Sequence, residues 1–231
     1  MSRPMRIVMI GLTFAAGLAG GFWLRLEGMR LPRNPTTQQK SFPADPGILF
    51  AVPDVRQSTS YSCGASALQA VLAYWGVETR ENALMTVLKT NEESGTQPEE
   101  IVRVARDYGL NARMREGVGI ADLRQAWQNG IPVIVAIQDW TDHPEVETHW
   151  EDDWEDGHYV IIIGVDDRYV YVEDPSLLGS RGMIAQGDFL KRWHDYAGDP
   201  PYDPKDRAYL HLAIFIEGSK KPGPVTFSDV H

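Results

Sequence analysis

Apolar positions recur with helical spacing through the first half of the chain and gather into strand-like runs in the second. Over residues 63–75, Leu68, Val71, Leu72 and Trp75 fall at i, i+3, i+4 and i+7, which predicts a helix with one face on a core. Gly76 follows as its stop, where a glycine suits a helix C-terminus. The pattern predicts a second helix over 81–88. A third should begin after Thr96, with Thr96 and Glu99 at capping-box spacing and a buried stripe of Ile101, Val104, Ala105 and Tyr108. A fourth spans 120–128, ahead of Gly130. Residues 48–52 are a short strand candidate.

From residue 132 the period changes. Residues 132–137 are a continuous apolar run, predicting a central strand, and 158–165 and 169–172 are two more, rich in Val, Ile and Tyr. Residues 189–193 suit a short helix and 208–216 a last strand. Helices first and strands later, without strict alternation, predict an α+β fold.

The N-terminus breaks from this pattern. Arg3 and Arg6 precede an apolar run over 7–24, at the short limit for a membrane span. It reads as a cleaved signal peptide, with Ala16 and Ala19 near a cleavage site, or as a retained anchor. Either reading brings the chain to the membrane and places the domain outside the cytoplasm, in a bacterial cell envelope. Residues 25–47 are polar and carry Pro32, Pro35, Pro43 and Pro46, as a linker would. The expected organisation is therefore a signal or anchor at 1–24, a linker at 25–47, a folded domain at 48–217 and a loose tail at 218–231. The net charge of −10 argues against nucleic acid as a partner, because phosphate binding needs a basic face. One cysteine among 231 residues rules out an intramolecular disulfide and a Cys-rich zinc site.

That cysteine, Cys63, stands at a predicted helix start, in Gln57-Ser-Thr-Ser-Tyr-Ser-Cys63-Gly64. Backbone N–H groups and the macrodipole at such a position stabilise a thiolate and lower its pKa. Gly64 would leave room for substrate against the backbone. Gln57 would point its side-chain amide at the oxyanion formed when a thiolate attacks a carbonyl. Of the six histidines, only His158 opens a strand directly after a glycine, and that strand leads on to Glu173-Asp174-Pro175. An Asp there would hold the imidazole in the tautomer whose free nitrogen faces the thiol. For this, His158 and Asp174 must share one face of a hairpin. A three-residue loop pairing Val165 with Tyr169, or an equivalent bulge, sets Val160 opposite Asp174 and His158 diagonal to it. A two-residue loop sends Asp174 to the other face.

These segments together resemble the C39-like cysteine peptidase family. The resemblance rests on Val52-Pro53, on Gln57 through Cys63-Gly64-Ala65-Ser66-Ala67-Leu68, on the 123–135 stretch with Gly130-Ile131-Pro132-Val133, and on Gly157-His158-Tyr159-Val160 with Asp174-Pro175. It implies a papain-like domain with N-terminal helices packed on an antiparallel sheet. It also implies Cys63 as nucleophile, His158 as general base, Asp174 as its orienting residue and Gln57 as oxyanion donor. The activity implied is hydrolysis of peptide or amide bonds in a peptide or protein substrate, with no cofactor and no metal. Two other classes fit the same residues: a thiol acyltransferase, transglutaminase-like or ligating, and a catalytically silent envelope-binding module.

One stretch goes beyond the motif. Residues 138–157 hold nine acidic residues, no Lys or Arg, and Trp140, Trp150 and Trp154. Directly before His158, this segment should border the cleft, as a solvated loop or as a lid that selects cationic or sugar-like groups. His143, His149 and the carboxylates are the residues there that a metal would use.

Overall fold

The computed structural model describes residues 49–140, 149–177, 179 and 181–219. The signal or anchor at 1–24, the linker at 25–47 and all but the first two residues of the 218–231 tail lie outside them. Among the described residues no helix is long and apolar enough to cross a membrane.

Helix α1 (Cys63–Tyr74) ends at Trp75, with Gly76 at φ 80°. It is buried almost all round rather than on one stripe. Its small residues Gly64, Ala65, Ser66, Ala67 and Ala70 let it lie between the sheet and two more helices, α2 (Glu81–Leu88) and α3 (Pro98–Asp107). The expected Thr96–Glu99 capping box does not form. Pro98, fixed at the first helical turn, starts α3 too late for it, and Gln97 occupies the cap. Thr96 is buried instead, its hydroxyl 2.7 Å from that of Thr90 and its carbonyl accepting the Tyr159 hydroxyl at 3.0 Å.

The strands are β1 (Asn111–Arg115), β2 (Val133–Gln138), β3 (Gly157–Val165), β4 (Tyr169–Glu173), β5 (Gly182–Ala185), β6 (His194–Ala197), β7 (Arg207–Leu210) and β8 (Ala213–Glu217). Helix α4 (Ile120–Gln128) precedes β2 and α5 (Gln186–Arg192) follows β5. Six strands form an antiparallel sheet in the order β1-β8-β2-β3-β4-β5, and β6 and β7 pair apart from it. Residues 49–52 do not become a strand. The Phe50 N–H reaches the Ile163 carbonyl at 3.0 Å, but β3 is already paired on both sides by β2 and β4, so no edge is free. The expected strand over 208–216 is two. His211, at φ 51°, breaks it, so β7 joins β6 while β8 enters the main sheet.

Alternation along the strands divides the interior in two. Tyr159, Ile161 and Ile163 of β3 pack with α1, α2 and α3. Val160 and Ile162 pack with Leu123 and Ala126 of α4 and Phe189 of α5. Trp193 joins the second group. Fully buried, it stacks on His211 with centroids 4.9 Å apart and donates from Nε1 to the Leu212 carbonyl at 2.8 Å. It thereby fixes the corner where the chain leaves the small sheet for the large one. Trp193→Ala should cost about 3–5 kcal/mol, as large-to-small changes at buried aromatics do, seen as a lower urea midpoint with unchanged slope. A loss under about 1 kcal/mol would mean that the corner is held by something else.

Candidate active site

Cys63 is the first residue of α1 and is 8% exposed. The residue before it, Ser62, does not cap the helix with its side chain. Its hydroxyl accepts the Thr59 N–H at 3.1 Å and donates to the Thr59 carbonyl at 3.3 Å, closing the preceding turn. The first-turn amides beside the thiol, which have no partner within the helix, are thus left without this side-chain acceptor. The turn is pinned from below by Glu81, whose Oε1 accepts the Ser58 N–H and the Ser66 hydroxyl, each at 2.9 Å. Burial raises the Glu81 pKa, but hydrogen bonds from Ser58, Ser62 and Ser66 outweigh it and hold the carboxyl below its ordinary range.

His158 and Asp174 are brought together by the register of β3 and β4. The pair nearest the turn is Val165 with Val170, and the Asp166 N–H reaches the Tyr169 carbonyl at 3.0 Å. This turn is one residue longer than the three-residue loop that the triad geometry would need. A bulge between Ile162 and Gly164 removes the difference, so that Ile161 faces Glu173. One step further, Val160 lies opposite Asp174, and His158 is the diagonal neighbour on the same face. His158 Nε2 is 2.7 Å from Asp174 Oδ1, with both residues buried. Cys63 is the other side chain that acts on His158. With Nε2 turned to the carboxylate, Nδ1 is the nitrogen left for sulfur.

The electrostatics follow from these contacts. Burial opposes charge on His158. The Asp174 hydrogen bond, the neighbouring Cys63 and the charges of both overcome it and push the imidazole up to about 10. Burial also works against the Asp174 carboxylate. The His158 hydrogen bond and charge, then the Ser176 and Trp140 N–H groups, outweigh it and keep its pKa below the ordinary value.

Of those partners, Ser176 was not singled out from sequence, and Trp140 was named only as part of the acidic segment. The Ser176 N–H donates to Asp174 Oδ1 at 2.7 Å, and Trp140 Nε1 donates to Oδ2 at 3.0 Å. Trp140 stands at φ 66° with half its surface exposed. A bulky residue seldom adopts that left-handed conformation, which costs about 1–3 kcal/mol, and here the indole N–H reaches the carboxylate. Ser176 also donates from its hydroxyl to Gln57 Oε1 at 3.1 Å, while Gln57 Nε2 donates to the Thr59 carbonyl at 2.8 Å. The Gln57 backbone N–H donates to the Pro175 carbonyl at 3.0 Å. Gln57 is therefore strapped between the Asp174 turn and the turn before Cys63, with one N–H of its amide committed to Thr59. The only signal for these residues was position, since Ser176 and Trp140 lie just beyond strands that carry the motif.

Gly64 differs from its expected role. A β-carbon there would lie 2.7 Å from Thr96 Cβ and 3.1 Å from the Tyr159 ring. The glycine is required by packing of α1 against those side chains, not by room for substrate. The acidic segment does border the cleft where it is described. Trp154, Glu155 and Gly157 line a cavity of about 190 Å³ that also reaches Cys63. Trp150 lies under Arg192, 3.7 Å from ring centroid to guanidinium carbon, and Trp154 stacks on Tyr202 at 4.3 Å. Residues 141–148, including His143, lie outside the described set. Among the described residues no three of His, Cys, Asp and Glu converge as metal ligands.

The raised His158 pKa has a sign that can be checked. The stability contributed by the charged ring is complete below its ordinary value of 6.5 and is lost as pH rises through about 10. An NMR titration should follow the His158 ring to about 10 in the native protein. In Asp174→Asn it should fall, because burial then meets less opposition. An unchanged midpoint in the variant would break the link between the two residues.

Comparison with known proteins bears on the family and the fold. Residues 49–199 match the Peptidase_C39 like family. An uncharacterized protein of Methanothermobacter marburgensis is 33% identical over 125 residues, covering 53% of this chain and 71% of the relative. The peptidase domain of Streptococcus ComA, a bi-functional ABC transporter involved in quorum sensing, superposes with a TM-score of 0.51 at 20% identity over 71% of this chain and 97% of that domain. A double glycine motif protease from an AMS/PCAT transporter, solved with its leader peptide, superposes at 0.50 with 19% identity over 74% of this chain and 94% of its own. With an α+β fold shared with peptidase domains and a family match over most of its described residues, the chain belongs to the C39-like peptidase family.

Proposed function

We propose that this chain is a cysteine peptidase working outside the cytoplasm, with Cys63 as nucleophile, His158 as acid and base, Asp174 as the orienting carboxylate and Gln57 as an oxyanion donor. The observation that carries the reading is the buried His158–Asp174 hydrogen bond at 2.7 Å, with Cys63 as the other side chain acting on the same imidazole. Support for the location is the apolar run at 7–24 behind Arg3 and Arg6. A peptide or protein substrate is in keeping with the family and with a neighbour solved around a leader peptide.

The chemistry follows from the charges. The Cys63 thiolate attacks the scissile carbonyl carbon, and the carbonyl π electrons move onto oxygen. The free Gln57 amide N–H and the uncapped N–H groups at the start of α1 receive that oxyanion. Collapse of the intermediate expels the amine, which takes its proton from the His158 imidazolium, and leaves an acyl group on sulfur. Water then attacks the thioester as His158 accepts its proton. The acid leaves, and the proton returns His158 to its charged form beside the thiolate. Asp174 holds the ring and stabilises its positive charge throughout.

Cys63→Ala and Cys63→Ser should abolish peptide turnover while circular dichroism and melting temperature stay native-like, because neither change removes a large core side chain. Gln57→Ala should lower kcat by about 10²–10³ with little change in KM, as loss of one oxyanion donor does. Wild-type turnover by Cys63→Ala would overturn the reading. Gln57→Ala within about twofold of wild type would remove Gln57 from the oxyanion site.

A further inference from the structure

The cavity beside Cys63 has a chemical character that the catalytic line does not explain. Its walls come from the turn before α1, the 92–98 stretch, the end of the acidic segment and the β6 region. Tyr61, Trp154 and Tyr196 give it aromatic surface, and Glu155 and Asp195 give it acid. Glu92 and Glu93 line it as well, and no Lys or Arg does so among the described residues.

Asp195 differs from the other acids of this cavity. It stands on β6, partly exposed, and one of its oxygens accepts the N–H of Tyr196 at 2.8 Å. The ion pairs among the described residues do not include it, whereas Asp139 and Asp188 both hold Arg192. A β-carbon on Gly157 would fall 3.0 Å from Asp195 Oδ1, so the carboxylate lies against the backbone that leads directly into His158. The protein around it strips away enough water to push its carboxyl up to about 7. A carboxylate held this way gains most from an incoming positive charge, which supplies the missing counter-ion. Aromatic faces on the same walls suit a cation too.

We propose that this cavity is a specificity subsite for a cationic side chain of the peptide substrate, a lysine or arginine near the scissile bond, with Asp195 as its counter-ion. The proposal rests on Cys63 being the nucleophile, since nearness to Cys63 is what makes the cavity a subsite. No covalent step is involved. The cation is held while the neighbouring carbonyl is presented to sulfur.

The test uses internally quenched alanine-based peptides carrying one Lys, or its uncharged isostere norleucine, at each position in turn. At one position near the cut, wild-type kcat/KM should favour Lys over norleucine. In Asp195→Asn that ratio should fall at least about tenfold, the size of losing one charge-assisted hydrogen bond. Glu155→Gln, an exposed change that leaves the buried structure alone, should lower the same ratio by less. A wild-type ratio near one at every position, or a ratio unchanged in Asp195→Asn, would overturn the proposal.

A second arm separates this from failure of the peptidase reading. If no peptide is cut, calorimetry with Cys63→Ala and the same peptides reads binding alone. Tighter binding of the Lys peptide, lost in the Cys63→Ala/Asp195→Asn double variant, would uphold the cation site without the chemistry. Equal binding of both peptides would sink it.

Discussion

The hydrogen bond between His158 and Asp174 is the constraint on which the rest of the site depends. Both groups are buried, and two charges taken out of water repay that cost only when geometry is good and their remaining valences are filled. The chain fills them with the Ser176 N–H and the Trp140 indole. Removing one partner of such a pair typically costs about 3–5 kcal/mol because the other is left buried and uncompensated. The bond exists only because β3 and β4 meet in one register, and that register depends on a four-residue turn corrected by a bulge. The apolar faces enforce the same solution. Val160, Ile162 and Val165 of β3 and Val170 and Val172 of β4 all belong to the interior facing α4 and α5, and a one-residue slip would turn the β4 valines away from it.

How much of this was legible in the sequence depended on burial and span. The helices α1, α2 and α4 and the strands β2, β3 and β4 carry long apolar signals, and their expected bounds agree with the structure to within a residue or so. Strands β1, β5 and β6 carry none. They have four or five residues each, lie at a sheet edge or in the small sheet, and are only partly buried, so pairing rather than periodicity makes them strands. The break at His211 was hidden for a similar reason, since the apolar residues on either side belong to different sheets. The residues Cys63, His158 and Asp174 could be read because each stands at the end of an element with a strong signal. Trp140 and Ser176 act through contacts with Asp174 that no spacing encodes. Gly64 was visible as a special glycine, but its reason lies in Thr96 and Tyr159, far along the chain.

The turn before α1 links the two halves of the site. Glu81 holds Ser58 and Ser66 from one side, while Gln57 is tied to Pro175 and Ser176 from the other. Cys63 and His158 come from separate halves of the domain, so their relative position depends on this strap as well as on packing of α1 against β3. The acidic stretch adds a third contributor, with Trp140 on the Asp174 carboxylate and Trp154 on the cavity wall. A segment that composition alone marks as solvated surface thus touches both ends of the cleft. It also gives a cleft rich in carboxylates to a chain of net charge −10, which biases encounter toward positively charged substrate groups.

The central claim is that Cys63 sulfur carries the acyl group during turnover, and intact-mass spectrometry tests it most directly. The purified protein is mixed with a cleavable peptide, quenched in acid within the turnover time and digested at low pH to preserve thioesters. The account predicts a mass increase equal to the acyl half of the peptide, mapped to Cys63 and removed by hydroxylamine. Peptide cleavage with no adduct on Cys63, or with the adduct on another residue, would contradict it.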